Sequence, residues 1–434
     1  MIGGSVDSSS PTPRRAATIG TREGRLLSLD EAITAVAAAA APPPWEPVSL
    51  GEALGRVLAE DVRSVDEVPP FDNSAMDGYA LRAADTEAAT EGAPARLRIA
   101  GESRAGAPAP VSPGPGEAIA ISTGAMLPPG ADAVVRMEDV AVRDGELIVS
   151  DPVSPGAEVR RAGEDVRAGD AVVAAGTRLG PAELGVIASV GAPEVACAPR
   201  PAVAVVTTGD ELTDPGRPLP PGGIRNSNTF TVPAQAREAG CEVSFVETVG
   251  DDPAATSAAL ERGLGADVLV VCGGVSVGTH DHVKPALTGL GIEQRFWGIA
   301  LRPGRPTWFG IGRGGAPLVF GLPGNPVSAM VTFRLLVVPA IAALTGASAQ
   351  DDRVSAVLDE RYPKRPGRLH AVRCSLSLVD DEWHARPTGP QGSHVLTSML
   401  GADGLALVPV ERGDVQAGER VEVLLLRPPV AGSR

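Results

Sequence analysis

The sequence predicts a multidomain chain, α/β plus β, in which a doubly wound, mostly parallel α/β domain sits among smaller β-rich segments. Three observations predict it. At 434 residues the chain exceeds one ordinary core and suggests about two to four domains. From residue 200, four buried-strand runs, "AVAVVT" (202–207), "EVSFVETVG" (242–250), "DVLVVCGG" (267–274) and "APLVFGLPG" (316–324), alternate with helical stretches near 228–239, 253–263, 281–289 and 326–345. From about 83 to 155, and again beyond 350, the pattern is β with Gly/Pro turns.

The elements follow in order. The first 25 residues are rich in Ser, Pro, Gly and Arg and lack the apolar core of a signal peptide, so they read as the disordered tail of a cytoplasmic protein. Ser28 and Glu31 have capping-box spacing before "AITAVAAAAA", and the prolines at 42–44 stop that helix. Ser49 and Glu52 repeat the spacing and predict a second helix over "ALGRVLAEDV". "VPPFDNSAMDGYALR" (68–82) is a loop. "VAVRDGELIV" (140–149) is a hairpin around Asp144-Gly145. After short strands over 156–180, "GPAELGVIASVG" starts a helix with Pro181 in its first turn. No window approaches the ~18 uninterrupted apolar residues of a membrane span.

Composition excludes some functions. A net charge of −15 argues against a nucleic-acid partner, and 3% aromatic residues are too few for base-stacking platforms. An anionic ligand therefore needs a local basic pocket. Only two of the 38 basic residues are lysines, Lys284 and Lys364. The four cysteines have neither disulfide nor zinc spacing and read as buried structural thiols.

In open α/β sheets ligands sit beyond the carboxyl ends of the strands. Here each strand end carries unusual residues: "TTGDEL" (207–212) and "IRNSNTF" (224–230), then Asp251-Asp252, then "GGVSVG" (273–278), then "GLPGNPVS" (321–328). The 273–278 glycines let backbone N–H groups approach an anion or a pterin-like heterocycle, although alone they read as a plain β–α turn. Asp281 and Lys284 at the exit point to a ligand, with a helix cap as the other reading of Asp281. His280 and His282 do not share a helix face and read as exposed or supporting side chains. Glu211, Asp251, Asp252 and Asp281 form an oxygen-only set that suits Mg²⁺, one of the two adjacent aspartates being the N-cap before Pro253. Arg302 and Arg305 flank a Pro-Gly turn and offer rigid forks to an oxyanion. Asp77 in "MDGYA" reads on its own as a turn residue.

Taken together, "PPFDNSAMDGYA" (69–80), "ISTGAMLPPGADAVVRMED" (121–139), "GEDV" (163–166), "TTGDEL", "NSN" (226–228), "GDDP" (250–253), "GGVSVG", "RPGRP" (302–306), "GLPGNPVS" and "TGPQGSHVLTSM" (388–399) resemble the molybdopterin molybdotransferase family, MoeA in bacteria and the gephyrin E-domain in animals. The resemblance runs from about 26 to 428. It implies an elongated homodimer of L-shaped subunits. The parts would be a linking domain over 26–72 and 156–197, an inserted β domain over 73–155, a MogA-like molybdopterin-binding domain over 198–347 and a β-barrel-like domain over 348–434. The implied substrates are adenylylated molybdopterin and molybdate. Molybdate attaches to the dithiolene sulfurs, the adenylyl bond is hydrolysed with Mg²⁺, and molybdenum cofactor and AMP leave. Glu211, Asp251 and Asp281 would position the metal and water. Thr208, Gly209, Asn226, Ser227, Gly273, Gly274, Ser276, Gly278, Lys284, Pro323 and Asn325 would hold the pterin. Arg302, Arg305, Arg373 and Ser393 would hold molybdate. Asp77 and Thr123 match family active-site motifs and would serve the partner subunit's cleft, which replaces the turn reading of Asp77. A molybdopterin adenylyltransferase and apo-molybdoenzymes are the implied partners. The family usually has lysine at both basic positions of "RPGRP"; a planar fork presents different donors from a point charge.

Two other functions compete. A molybdopterin adenylyltransferase would use the same α/β fold with ATP, but the extra β domains and "MDGYA" argue against it. A non-catalytic scaffold is the second, and the intact carboxylate set argues against that. Molybdate and tungstate are not distinguished.

Overall fold

The computed structural model describes residues 25–275, 282–348 and 352–427. Ser276, Gly278, His280 and Asp281 lie outside the described residues. The chain divides into two compact units, Pro47–Cys197 and the remainder.

The second unit begins with helix α1 (Leu29–Ala39). Its capping box is present: the Glu31 N–H donates to Ser28 Oγ at 3.1 Å and the Ser28 N–H to Glu31 Oε2 at 2.8 Å. The helix buries Leu29, Ala32 and Val36 in the core of the α/β domain, although in sequence it precedes the linking segment.

The Pro47–Cys197 unit carries a six-stranded sheet. Its strands are β1 (Gly78–Leu81), β2 (Ala95–Ser103), β3 (Glu117–Ile121), β4 (Ala133–Arg136), β5 (Ala141–Arg143) and β6 (Glu146–Val149), in the order β4-β1-β3-β2-β6-β5. Only β2 and β3 run parallel. Asp144 and Gly145 both have positive φ, which matches the strand twist of a two-residue hairpin. Short strands from 62–74 pair with 159–173, so the segments before and after the sheet come together. Helix α2 (Pro181–Ser189) starts as expected, with the Gly180 N–H on Glu183 Oε2 at 2.8 Å.

The helix predicted after Ser49 is absent. A 3₁₀ turn, Leu50–Glu52, gives way to extended chain, and Ser49 does not cap it. Gly55 at φ +73° leaves the helical region, and Val57 and Leu58 bridge to Arg178 and Cys197. Long-range pairing thus overrides a local signal.

The α/β domain contains β7 (Ala202–Thr208), α3 (Asn228–Glu238), β8 (Glu242–Val249), α4 (Pro253–Gly263), β9 (Val268–Cys272), α5 (Val283–Gly289), β10 (Glu293–Trp297), β11 (Trp308–Ile311) and β12 (Leu318–Leu322). The sheet order is β8-β7-β9-β12-β11-β10, with the first four parallel, β11 antiparallel to β12, and β10 antiparallel to β11. Strands β9 and β12 are buried throughout, which explains their unbroken apolar runs. The run 326–345 is α6 (Pro326–Thr332), a π-helical turn (Phe333–Val337) and α7 (Val338–Thr345). Pro339 has no N–H for the preceding turn, which accounts for the irregularity. This run has the length and apolarity of a membrane span, but about two thirds of it is buried in the core.

Five strands close a barrel: β13 (Arg353–Leu358), β14 (Leu369–Val379), β15 (Glu382–Pro387), β16 (Gly404–Val408) and β17 (Arg420–Leu425). The ring order is β14-β15-β13-β17-β16 and back to β14, as expected for a barrel-like C-terminal domain. Leu301–Arg302 adds to β14. All four cysteines are buried and outside any disulfide, and burial pushes the Cys272 and Cys374 thiols up to about 12.

Candidate active site

Because β7, β8, β9 and β12 are parallel and in register, Thr208 lies opposite Val249 and Cys272 opposite Leu322. Their carboxyl ends therefore form one edge, and a cavity of about 580 Å³ opens there. Thr208, Gly209, Glu211, Asp251, Gly273, Gly274, Pro323 and Asn325 all line it.

The glycines are required by space. Gly273 has φ +99°, and a Cβ on it would sit 2.7 Å from the Thr208 carbonyl oxygen and 2.9 Å from Thr208 Oγ1. A Cβ on Gly274 (φ +61°) would meet Val283 Cγ2 at 2.5 Å. Gly209 (φ +146°) has the Glu211 carboxylate folded against the face where a Cβ would stand.

Two carboxylates share the cavity. Asp251 is held by its neighbour: its N–H donates to Asp210 Oδ1 at 2.9 Å. Asp252 turns away and caps α4, accepting the Ala255 N–H at 2.6 Å. The choice between the two aspartates is thus resolved, with Asp251 facing the ligand space.

Several expected pterin-side residues stand behind the cavity. Asn226 is buried and donates through Nδ2 to Thr207 Oγ1 at 2.8 Å and Thr248 Oγ1 at 3.0 Å. It ties the 224–227 loop to the ends of β7 and β8. Ser227 precedes α3 without capping it through its side chain. Lys284 lies 5.2 Å from the centroid of the Trp297 ring, and Trp297 Nε1 donates to the Val275 carbonyl at 2.9 Å.

Asn228, which sequence reasoning left without a role, lines the cavity. Its Nδ2 donates to the Gly324 carbonyl at 2.8 Å, while its buried Oδ1 has no partner among the described residues. The signal was the third letter of "NSN". Asp210 was likewise present in "TTGDEL" without a role.

The expected oxyanion residues separate. Asn325 Nδ2 donates to Ser393 Oγ at 3.1 Å, so the 388–399 loop meets the end of β12. Pro306 lines the cavity and Arg305 is exposed on the same turn, while Arg302 lines a different, basic cavity. Arg373 is wholly buried. Its guanidinium donates to Ser398 Oγ at 3.1 Å and to the carbonyls of Pro390, Gln391 and Gly392 at 3.1–3.4 Å. It shapes the 390–392 loop beside Ser393 with four of its five N–H donors.

In the other unit, Asp77 and Thr123 come together although 46 residues apart. Asp77 Oδ1 accepts the Thr123 N–H at 2.7 Å and the Thr123 hydroxyl at 3.0 Å. The N–H first and the hydroxyl second hold this exposed carboxyl below its usual range.

A doubly wound domain whose four strand ends present glycine backbone, two carboxylates and an amide, joined to a barrel and accompanied by a mixed-sheet unit, defines a multidomain protein with a heterocycle- or phosphate-binding cleft. Family comparisons agree with each part. Residues 27–191 match the MoeA N-terminal region (domain I and II), 204–343 a probable molybdopterin binding domain, and 355–426 the MoeA C-terminal region (domain IV). The chain is 38% identical to a molybdopterin molybdenumtransferase of Haemophilus influenzae over 88% of its own length and 94% of that relative's. It is 34% identical to one from Bacillus subtilis, over 92% and 94%. Among solved structures, a molybdopterin biosynthesis MoeA protein from Pyrococcus horikoshii aligns with a TM-score of 0.80 at 30% identity, covering 92% of this chain and all of that one. The chain belongs to the MoeA family.

Proposed function

We propose that the cleft at the carboxyl edge of β7, β8, β9 and β12 is where this transferase inserts molybdenum into molybdopterin. The observation that carries the assignment is the shared cavity: Glu211 and Asp251 face the same space as the Gly273–Gly274 backbone. The glycines admit the phosphorylated pterin close to the chain, and Asn228 Oδ1 accepts an N–H of the bound ligand. The ligand is the adenylylated pterin, whose adenylyl bond lies at the carboxylate edge.

The donor chemistry fits a Mg²⁺ ion. Among the described residues no group of three or more His, Cys, Asp or Glu side chains forms a cage. A two-carboxylate edge is what a Mg²⁺ shared with substrate phosphates uses. Glu211 and Asp251, joined by Asp281, would hold it, and when bound it would neutralise the pyrophosphate and the departing phosphate. The carboxylates also orient the attacking water. Arg305 and Ser393 hold molybdate, Arg302 contributes charge from the neighbouring wall, and Arg373 keeps the Ser393 loop in shape. The protein acts as a homodimer in which Asp77 and Thr123 of one protomer serve the other's cleft. It takes its substrate from an adenylyltransferase and passes its product to apo-molybdoenzymes.

The test is AMP release from adenylylated molybdopterin by the purified protein with Mg²⁺, with and without molybdate, with cofactor scored by reconstitution of an apo-molybdoenzyme. Molybdate-dependent AMP release with reconstituted activity is the expected result. A folded protein that binds the pterin but yields neither AMP nor cofactor overturns it.

A further inference from the structure

The last rungs between β7 and β8 are irregular, and the irregularity falls where the two cleft carboxylates leave the sheet. Thr208 and Val249 are the final paired residues. Beyond them the Gly209 N–H still donates to the Val249 carbonyl at 3.1 Å. In a regular parallel ladder the residue that donates this bond also accepts, through its own carbonyl, the N–H two residues further along the neighbouring strand. That N–H belongs to Asp251. Here the Gly209 carbonyl is turned to the Leu212 N–H at 3.2 Å, and the Asp251 N–H goes instead to Asp210 Oδ1 at 2.9 Å. A side-chain oxygen thus takes the place of a ladder carbonyl.

This replacement has a geometric effect. With its carbonyl released, the chain turns at Gly209, and the turn brings Glu211 to the cavity wall with its carboxylate folded against Gly209. The Glu211 carbonyl accepts the Ile224 N–H at 2.7 Å, which holds the far side of the turn. Asp251 stays on the same wall while its N–H keeps an acceptor at the end of β8. Among the described residues Asp210 itself does not line the cavity. The fit around it is close. A Cβ on Gly250 would stand 2.5 Å from Asp210 Oδ1. Gly250 does not have a positive φ, so space and not backbone conformation excludes a side chain there.

We propose that Asp210 is the positioning residue of the metal edge. Its Oδ1 acts through the Asp251 backbone to hold the Glu211 and Asp251 carboxylates on one ion. What it contributes is an acceptor oxygen, since the group it serves is an N–H. The proposal rests on the reading of this cleft as a Mg²⁺ site. Hydrogen bonds that orient metal ligands from outside typically change metal affinity by about 10–100-fold.

The experiment titrates the full chain with Mn²⁺, an EPR-visible substitute for Mg²⁺, in the presence of AMP. Amide hydrogen exchange over 249–252 is measured on the same proteins. Wild type is compared with Asp210→Asn, which keeps an acceptor oxygen, Asp210→Ala, which removes it, Gly250→Ala, and the double variant Asp210→Ala/Gly250→Ala. Asp210→Ala should weaken Mn²⁺ about tenfold or more and speed exchange of the Asp251 amide, and Asp210→Asn should stay within about threefold of wild type. Gly250→Ala should behave like Asp210→Ala, because its methyl displaces Oδ1, and combining the two should add nothing further. Equal Mn²⁺ affinity in wild type and a folded Asp210→Ala protein overturns the proposal. An asparagine variant as weak as the alanine variant also overturns it, since charge and not the acceptor would then be at work. A wild-type chain that binds no Mn²⁺, while Asp210→Ala still loses amide protection, overturns the metal reading of the cleft and leaves Asp210 as the holder of Asp251.

Discussion

At the scale of single residues, two buried polar side chains carry consequences that their sequence neighbours do not. Asn228 spends its amide N–H on Gly324 and leaves its oxygen, at the cavity wall, unpartnered among the described residues. A buried acceptor without a donor is costly, and a ligand N–H removes that cost. Asn228→Ala should therefore raise KM for adenylylated molybdopterin about tenfold with little change in kcat, because the lost contact is made equally in the ground and transition states. Steady-state AMP release checks this, and a fall in kcat at unchanged KM would contradict it. His370 makes a different prediction. The unfolded imidazole takes a proton near its ordinary 6.5, whereas burial first, then the charges of Arg302, Lys364 and Arg368, make the folded ring wait until about 4. Between those values the unfolded chain binds more protons, so stability is complete above about pH 6.5 and is lost as pH falls toward 4. His370→Gln should flatten this part of the pH–stability curve by on the order of 2–3 kcal/mol, measured by denaturant unfolding at both ends of the window.

At the scale of elements, the glycine pair after β9 is a structural necessity before it is a binding device. Gly273→Ala would force a Cβ against the Thr208 carbonyl at a φ that side chains rarely adopt. It should cost about 1–3 kcal/mol of stability, seen as a lower Tm, and weaken pterin binding, since the same backbone shapes the cleft. This loop also shows what was legible in the sequence. Parallel strands buried on both faces appear as unbroken apolar runs, so β7, β9 and β12 and the residues at their ends could be read directly, whereas β8, expected as a buried run, is an edge strand that alternates exposed and half-buried residues. Asp252 as cap and Asp251 as cavity residue followed from Pro253 and were separated only by geometry. The direction of a long side chain was not legible. Arg373 carries the same charge whether it meets a ligand or three backbone carbonyls, and only the fold of the 390–392 loop decides. The capping-box spacing at Ser49 misled for a similar reason, since the partners of Val57 and Leu58 lie more than a hundred residues away.

At the scale of the whole molecule, the net charge of −15 sets the terms on which anions are accepted. The general field repels them, so productive sites depend on local cations such as those around Arg302. The field does not explain why Asp77 and Thr123 are built as a pair, 2.7 Å from carboxylate to N–H, on a unit separate from the cleft carboxylates. A homodimer with shared sites gives that pair a task, and mixing tests it. Asp77→Asn and Glu211→Gln proteins should each be inactive as homodimers. In a dimer containing one of each, a cleft with native Glu211 meets native Asp77 from the other protomer, and the second cleft carries both lesions. Random reassortment makes half of the dimers mixed, so molybdate-dependent AMP release should return to about a quarter of the wild-type rate. If both residues instead served the cleft of their own chain, every cleft in the mixture would carry one lesion and no activity would return.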